Sequence, residues 1–398
     1  MKQTKFLMAC MTSHMMPSFH KVKVALFIFC FSCIGINSYG QWLDHVYYNC
    51  KNSRSESYAY VVTISPDITS VTLRQSVWFN GSVNKRLPVF YLNNNSFSRH
   101  AHTKSVNILS PLLGIASTAF YNCTVLDSVY LPPPGVYDSK YFLQYIGENA
   151  FQDCWKLRYI NLPVKLNDIR RSAFLDCWSL AKIDIPYTVE NIGETAFKNC
   201  RSLKSIVLST SVSNMGRAVF QNCTALETVG FYNRRMLSIK AMTFDNCTSL
   251  REVDIAYNTI LYIDSAAFRN CSSLPKITLP ASIDERSIGV SAFEGCTALD
   301  SVTALMEEPH PFGQDAFKDI SPTCVLTVPY GKKAAYIAAG WTEEVFRGGV
   351  RELPPPAGIR PVKVNAADAA CYDLQGRPVE HPQKGRIYIR QGRKIVCP

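Results

Sequence analysis

The stretch GENAFQDCWKLRYINLP at residues 147–163 decides the fold, because it returns along the chain with small changes. It recurs, for example, as GETAFKNCRSLKSIVLS at residues 193–209. Its phenylalanine occurs nine times, and successive copies are 31, 23, 23, 23, 24, 24, 25 and 24 residues apart. A nearly fixed period in this range indicates stacked units that bury a common core. The nine residues are Phe120, Phe151, Phe174, Phe197, Phe220, Phe244, Phe268, Phe293 and Phe317.

Other positions keep their distance from each phenylalanine. In eight of the nine units a cysteine follows three residues later, a leucine three after that, and a β-branched residue a further three on, as in Cys154, Leu157 and Ile160. The following I-x-L alternates at period two, which predicts a short strand with one buried face. A proline such as Pro163 ends the strand, since proline cannot donate to a sheet ladder. We predict a β-rich solenoid with one curved parallel sheet, and with short turns or helical pieces on its convex side.

The pattern L-x-x-I-x-L-P…I-G-x-x-A-F-x-x-C-x-x-L resembles the leucine-rich repeats of the BspA-like bacterial surface protein family. Two stretches that carry the resemblance are LRYINLPVKLNDIRRSAFLDC at 157–177 and LAKIDIPYTVENIGETAFKNC at 180–200. The resemblance covers residues 106–350. It implies a leucine-rich repeat solenoid that recognises or adheres to host matrix proteins or other bacteria.

The cysteines in register predict a ladder of buried free thiols. Stacked side chains lie about 4.8 Å apart, which is longer than the ~3.8 Å between Cβ atoms that a disulfide prefers. The alternative is a set of disulfides, if the protein reaches an oxidising compartment. Outside the register lie Cys50, Cys324, Cys371 and Cys397, and a pair among these four stays open. The predicted ladder consists of Cys123, Cys154, Cys177, Cys200, Cys223, Cys247, Cys271 and Cys296.

Residues 1–40 are typical of a signal peptide. Two lysines precede an apolar run at 24–36, and small or polar residues follow it, so Gln41 is the expected mature start. The alternative is a membrane anchor, but the run is shorter than the ~20 residues that a spanning helix needs. Met16 is an alternative start of translation. We expect contact with a membrane only through this signal or an export anchor.

The segments flanking the repeats are assigned by pattern. Residues 41–105 lack the repeat, and their short alternating runs predict a β-rich amino-terminal cap or an independent domain. In the stretch VLTVPYGKKAAYIAAGW, a last strand precedes a short helix over 332–339, with Trp341 packed beneath it. A proline-rich linker at 351–365 leads to a β tail at 366–398.

The tail carries a second resemblance. Its YDLQGRPV…KGRIYIRQGRK order is similar to the carboxy-terminal sorting segments of proteins that leave Bacteroidetes-like Gram-negative bacteria by type IX secretion. This resemblance implies export to the cell surface, the outer membrane or the medium. The alternative is a small structural hairpin.

Composition and motifs argue against several functions. The chain of 398 residues is 47% hydrophobic and carries a net charge of +11, which becomes +7 once the four lysines of residues 1–40 are removed. The remaining cations form no basic stripe, so we expect no nucleic-acid partner. No H-E-x-x-H, G-x-S-x-G or C-x-x-C motif occurs in the repeat region, and we predict no catalytic, cofactor or metal site. His100 and His102 are interpreted as exposed loop histidines.

Recognition of a protein or glycan ligand on a host or bacterial surface is the function that this pattern favours. The strand positions beside the buried residues would face outward on the concave sheet, and an insertion rich in tyrosine follows the first unit. A secreted enzyme or glycan-processing accessory, with catalytic groups in 41–105, and a structural envelope protein are the alternatives. The candidate concave-face residues are Tyr130, Tyr159, Asn161, Lys182, Asp184, Glu252, Asp254 and Lys276, and those of the insertion are Tyr137, Tyr141 and Phe142.

Overall fold

A computed structural model describes residues 37–52, 57–79, 85–132, 142–231, 238–256, 259–285, 288–355, 371–373, 377–379, 387–390 and 393–396. The chain forms two compact units, one ending at Arg351 and the other beginning at Glu352. The first unit is a stack of coils, each built around one repeat. We name each coil by its phenylalanine. The solenoid expected from the repeat is confirmed.

The described strands are short, and most pair with the equivalent strand of the next coil. They are β1 (Asn37–Leu43), β2 (Val46–Asn52), β3 (Ser57–Ile64), β4 (Ser70–Leu73), β5 (Ser76–Phe79), β6 (Lys85–Leu92), β7 (Ser105–Ile108), β8 (Gly114–Ile115), β9 (Ser128–Tyr130), β10 (Tyr145–Ile146), β11 (Tyr159–Ile160), β12 (Asp168–Ile169), β13 (Asn191–Ile192), β14 (Ser205–Leu208), β15 (Asn214–Met215), β16 (Thr228–Phe231), β17 (Ser238–Ile239), β18 (Glu252–Asp254), β19 (Tyr262–Ile263), β20 (Lys276–Leu279), β21 (Ser301–Ala304), β22 (Val325–Val328) and β23 (Val350–Glu352).

The predicted I-x-L strands build the first of two parallel ladders, which we call the main sheet. It runs in three sections, β4-β7-β9-β11, β14-β16-β18 and β20-β21-β22-β23. Residues 181–186, in the Phe174 coil, hold no strand, so the main sheet is interrupted there. Its strands alternate buried and exposed residues, as in β14, where Ile206 and Leu208 are buried and Ser205 and Val207 are exposed.

The second ladder was not predicted. Its strands follow the order β6-β8-β10-β12-β13-β15, with β17-β19 continuing the pattern. Each strand ends five residues before a phenylalanine, on an isoleucine or methionine except in β6, which ends on Leu92. Most of its strands hold two residues, too few for an alternating pattern to be recognised. The glycine that often follows is required by close packing between coils. A Cβ on Gly193 would lie 2.4 Å from the backbone nitrogen of Arg171 in the preceding coil.

Turns, rather than helices, close the third side of each coil. The residues two before and two after the phenylalanine have positive φ, as in Thr195 (55°) and Asn199 (63°). Asn and Asp tolerate this conformation best, which explains why one of them follows most of the phenylalanines by two residues. The backbone N–H groups of Thr195, Phe197 and Asn199 donate to carbonyls of the next coil. The turns thus hydrogen-bond to one another along the stack, as the strands do.

The phenylalanines stack in one continuous column with centroids 4.6–5.6 Å apart. The column begins one coil earlier than predicted, at Phe97, whose ring lies 4.6 Å from that of Phe120. Phe97 keeps the 23-residue period, but His100 and Thr103 replace the cysteine and leucine of the repeat. The segment before residue 106 therefore contributes a coil of its own.

The amino-terminal strands share the ladders of the coils. Strand β3 pairs in parallel with β6, and β4 pairs in parallel with β7. Strands β1 and β2 form an antiparallel hairpin whose second strand pairs with β3. Strand β1 starts at Asn37 and so runs across the expected cleavage point before Gln41.

An aromatic cluster covers the last coil. The helix predicted at 332–339 is confirmed as α1 (Lys333–Ala338), and Trp341 is fully buried. The rings of Trp341 and Phe346 lie 5.6 and 5.1 Å from that of Phe317. The Tyr336 hydroxyl donates to the Met306 carbonyl at 2.9 Å. These contacts end the apolar column where no further coil would bury it.

The second unit contains a small antiparallel sheet. Its strands are β24 (Cys371–Tyr372), β25 (Pro378–Val379), β26 (Ile387–Arg390) and β27 (Arg393–Val396), in the order β25-β24-β26-β27. In the described part of the chain, no helix is long and apolar enough to cross a membrane.

Candidate functional site

The eight ladder cysteines are buried, free thiols. Each Sγ donates to the phenylalanine carbonyl of the preceding coil at 2.8–3.3 Å, as Cys200 does to Phe174. Burial raises the pKa of Cys177 and Cys200 well above the ordinary thiol value. Because the thiolate is the nucleophile, these groups suit packing and not catalysis. Outside the ladder, Cys324 is a free thiol whose pKa burial raises to about 12.

The amino-terminal members of the predicted face lie on the surface. Tyr130 and Tyr159 are 47% and 48% exposed, and their rings lie 5.3 Å apart. Asn161 has a structural contact, because its side-chain amide bonds both the N–H and the carbonyl of Leu131 at 2.8 Å. That pairing extends the contact between the Phe120 and Phe151 coils beyond the end of β11.

The charged members of the predicted face are exposed too. Lys182 pairs with Asp184 at 3.1 Å. Glu252 and Asp254 lie on β18 and Lys276 on β20, at positions that alternate with buried residues. In the insertion, Tyr137 and Tyr141 lie outside the described residues. Phe142 is half-buried, and the Lys165 ammonium is 4.2 Å from its ring centroid.

Two exposed tryptophans of the cysteine-bearing coils were missed. Trp155 and Trp178 each follow a ladder cysteine, and their rings stack at 4.9 Å with an angle of 4° between planes. They are 39% and 36% exposed. The Arg201 guanidinium occupies the same position one coil later and lies 5.2 Å from the Trp178 ring. The sequence signal was available: apart from Arg201, the other coils with a ladder cysteine carry Thr or Ser at this position, and two adjacent coils carry Trp.

Aspartates in the left-handed turn position hold these rings. The Trp178 Nε1–H donates to Asp176 at 3.1 Å, and the Trp155 side chain bonds Asp153 in the same way. Asp176 also accepts from the Asn199 amide at 2.7 Å. Burial, together with the charge of Asp176, raises the pKa of Asp153. The indoles are therefore fixed in place before any partner binds.

The rings belong to a surface that we call the basic aromatic flank. It comprises the positions 4, 5, 7, 8 and 10 residues after Phe151, Phe174 and Phe197, all exposed or half-exposed on the main-sheet side. Five of these fifteen residues are cations and one is a carboxylate. The flank consists of Trp155, Lys156, Arg158, Tyr159, Asn161, Trp178, Ser179, Ala181, Lys182, Asp184, Arg201, Ser202, Lys204, Ser205 and Val207.

The same positions differ in the next four coils. Among twenty residues they include two cations, four carboxylates and no aromatic side chain. The main-sheet side is thus divided into a basic aromatic half and a mildly acidic half. The charged residues of the second half are Glu227, Arg251, Glu252, Asp254, Lys276 and Asp300.

Groups suited to metal binding are absent from the part of the chain that the structure describes, where no three His, Cys, Asp or Glu side chains come together.

The interpretation of His100 as an exposed histidine is wrong. It takes the cysteine position of the Phe97 coil, its Nδ1 is buried without a hydrogen-bond partner among the described residues, and burial lowers its pKa. His102 is exposed.

Comparison with known proteins identifies the repeat. Residues 137–236 and 232–333 match the model of the BspA type leucine-rich repeat region, in six copies. A search of curated proteins returns no match to this chain. A crystallised leucine-rich repeat protein of T. pallidum is 25% identical, over 63% of this chain and 86% of that one, with a TM-score of 0.40.

Two further crystal structures are similar. A leucine-rich repeat protein of Bacteroides ovatus ATCC 8483 is 19% identical, over 79% of this chain and 99% of that one, with a TM-score of 0.40. A leucine-rich cell surface protein of Faecalibacterium prausnitzii A2-165 is 19% identical, over 80% and 95%, with a TM-score of 0.44. The family model carries the assignment: this chain is a leucine-rich repeat solenoid protein whose residues 137–333 form a BspA-type repeat region.

Proposed function

We propose that the protein is exported to the bacterial cell surface and there recognises or adheres to a partner through the main-sheet side of its coils. The signal-like residues 1–40 support export, and the tail at 366–398 would act as a sorting segment. The BspA-type repeats and the basic aromatic flank support a binding role without catalysis.

The basic aromatic flank carries this proposal. Trp, Tyr and Arg dominate the binding energy of protein interfaces, and here they lie together at 36–48% exposure for the rings. Stacking and hydrogen bonds to the aspartates already order the indoles, so binding need not order them further. Exposed aromatic residues that cluster in adjacent coils lower the solubility of a protein. Such a cluster therefore favours a role in contacting a partner.

A binding experiment on the mature chain, residues 41–398, tests the proposal. The protein is immobilised and exposed to labelled bacterial cells and to host matrix extracts, beside a Tyr130→Ser/Tyr159→Ser variant. This variant removes Tyr159 of the flank together with Tyr130, whose ring borders the flank at 5.3 Å from that of Tyr159. The matched control is Tyr330→Ser, since Tyr330 is 45% exposed and lies outside the flank. We expect the double variant to lose capture while Tyr330→Ser keeps it.

Two outcomes would oppose the proposal. Capture that is equal for all three proteins would show that this side is not the contact surface. Failure of the unmodified chain to capture any cell or matrix fraction would remove the recognition role. Circular dichroism of each variant confirms that the coil stack is intact.

A further inference from the structure

We propose that the ligand of the basic aromatic flank is an anionic polysaccharide, a uronic-acid polymer in chemical class, that runs along the axis of the coil stack. This inference rests on the proposed recognition function and names its ligand. Charge, ring exposure and spacing along the flank support it.

The cations of the flank exceed their local partners. Arg158 pairs with Asp127, and Lys182 pairs with Asp184. Lys156, Arg201 and Lys204 form no ion pair among the described residues. Asp153 and Asp176 lie half-buried beneath the indoles and are already hydrogen-bonded to them. Three exposed cations, one in the Phe151 coil and two in the Phe197 coil, therefore remain available to carboxylates of a ligand.

The ring surfaces suit sugars. Of the two faces of the Trp155 ring, one stacks on Trp178, and the other has no ring or cation against it in the described structure. It points toward the Phe120 coil, where Thr124 holds the equivalent position and is much smaller. Tyr130 and Tyr159 expose further ring surface nearby. The C–H face of a pyranose packs on such apolar ring faces while its hydroxyls stay in water.

The spacing distinguishes a polysaccharide from a peptide. Adjacent coils repeat every 4.8–5.3 Å at the phenylalanines of this region, which is close to the length of one pyranose unit. Successive sugars would therefore meet successive coils in the same way. An extended peptide advances only about 3.3 Å per residue, so its side chains would drift out of register with the coils.

Polygalacturonate is the probe that we would use, because methyl esterification removes its charge and keeps its sugar backbone. Titration of the mature chain, residues 41–398, should give saturable binding to polygalacturonate that weakens as salt is raised. The fully methyl-esterified polymer should bind at least roughly tenfold more weakly. Polyglutamate and oligothymidylate of matched charge test an acidic peptide and a single-stranded nucleic acid.

Charge variants locate the site. Lys204→Glu should weaken polygalacturonate binding by roughly tenfold. Lys318→Glu changes an exposed lysine in the turn beside Phe317, away from the main-sheet strands, and should leave binding unchanged. Trp155→Ala should weaken both the charged and the esterified polymer, since it removes ring contact rather than charge.

Several results would overturn the inference. They are equal binding of the esterified polymer, stronger binding of polyglutamate or oligothymidylate, and equal effects of Lys204→Glu and Lys318→Glu. If polygalacturonate fails to bind while cell or matrix capture persists and depends on Tyr130 and Tyr159, the ligand class is wrong and the recognition function stands. If both fail, both proposals are refuted.

Discussion

Replacing one ring of the phenylalanine column by an aliphatic side chain separates the contribution of ring stacking to stability from that of apolar burial. Phe197 is fully buried between Phe174 at 5.3 Å and Phe220 at 5.6 Å. Phe197→Leu keeps most of the apolar volume but removes two ring pairs, each of which contributes ~0.5–1.5 kcal/mol beyond buried area. We expect the free energy of unfolding to fall by about 1–3 kcal/mol.

The end of the column supplies the control. Phe97 is equally buried, but among the described residues it stacks face to face on one phenylalanine only, Phe120, and contacts His100 edge-on at a longer 6.3 Å. Phe97→Leu should therefore cost about half as much, ~0.5–1.5 kcal/mol. Urea unfolding followed by circular dichroism measures both, with an unchanged slope showing that the folded state is intact. Equal losses at the two positions would refute the claim that stacking adds to burial.

Three further predictions follow from buried polar groups. The eight ladder thiols should resist a thiol reagent in the folded protein and react in denaturant, as counted by mass spectrometry. Because burial lowers the pKa of His100, its protonation opposes folding, so thermal stability should fall as pH drops below 6.5, and His100→Cys should reduce that dependence. Asp245→Asn should lower the free energy of unfolding by about 1–3 kcal/mol, since the buried Asp245 accepts two bonds from Arg269.

The buried columns could be predicted from the sequence because every coil presents the same environment at the same position. Phenylalanine, cysteine and leucine recur at fixed spacing, and that spacing alone gives the stack. The Phe97 coil was missed because His100 and Thr103 break the pattern at the two positions used to recognise it. The second ladder was missed because two residues such as Asp168–Ile169 carry no period of their own.

The flank could be predicted only in part, since it depends on neighbours in space. Tyr159 and Lys182 were identified because they alternate with buried strand residues. Trp155 and Trp178 lie in the turn before the strand, where alternation gives no signal, and they are 23 residues apart in sequence but 4.9 Å apart in the fold. Comparing equivalent positions across coils, rather than along the chain, would have found them.

The three coils of the flank share one repeat length. The intervals from Phe151 to Phe220 are each 23 residues, whereas later intervals are 24 or 25. Coils of one length align equivalent side chains along the stack, and the indole planes of Trp155 and Trp178 are accordingly within 4° of parallel. In the later coils the added residue lies outside the main-sheet strands, because Thr228 still pairs with Glu252 and Gly230 with Asp254. The residue types at equivalent positions, rather than the repeat length, therefore confine the flank to these three coils. Inserting one residue in the turn between Asn161 and Asp168 should accordingly leave both the core stack and ligand binding intact.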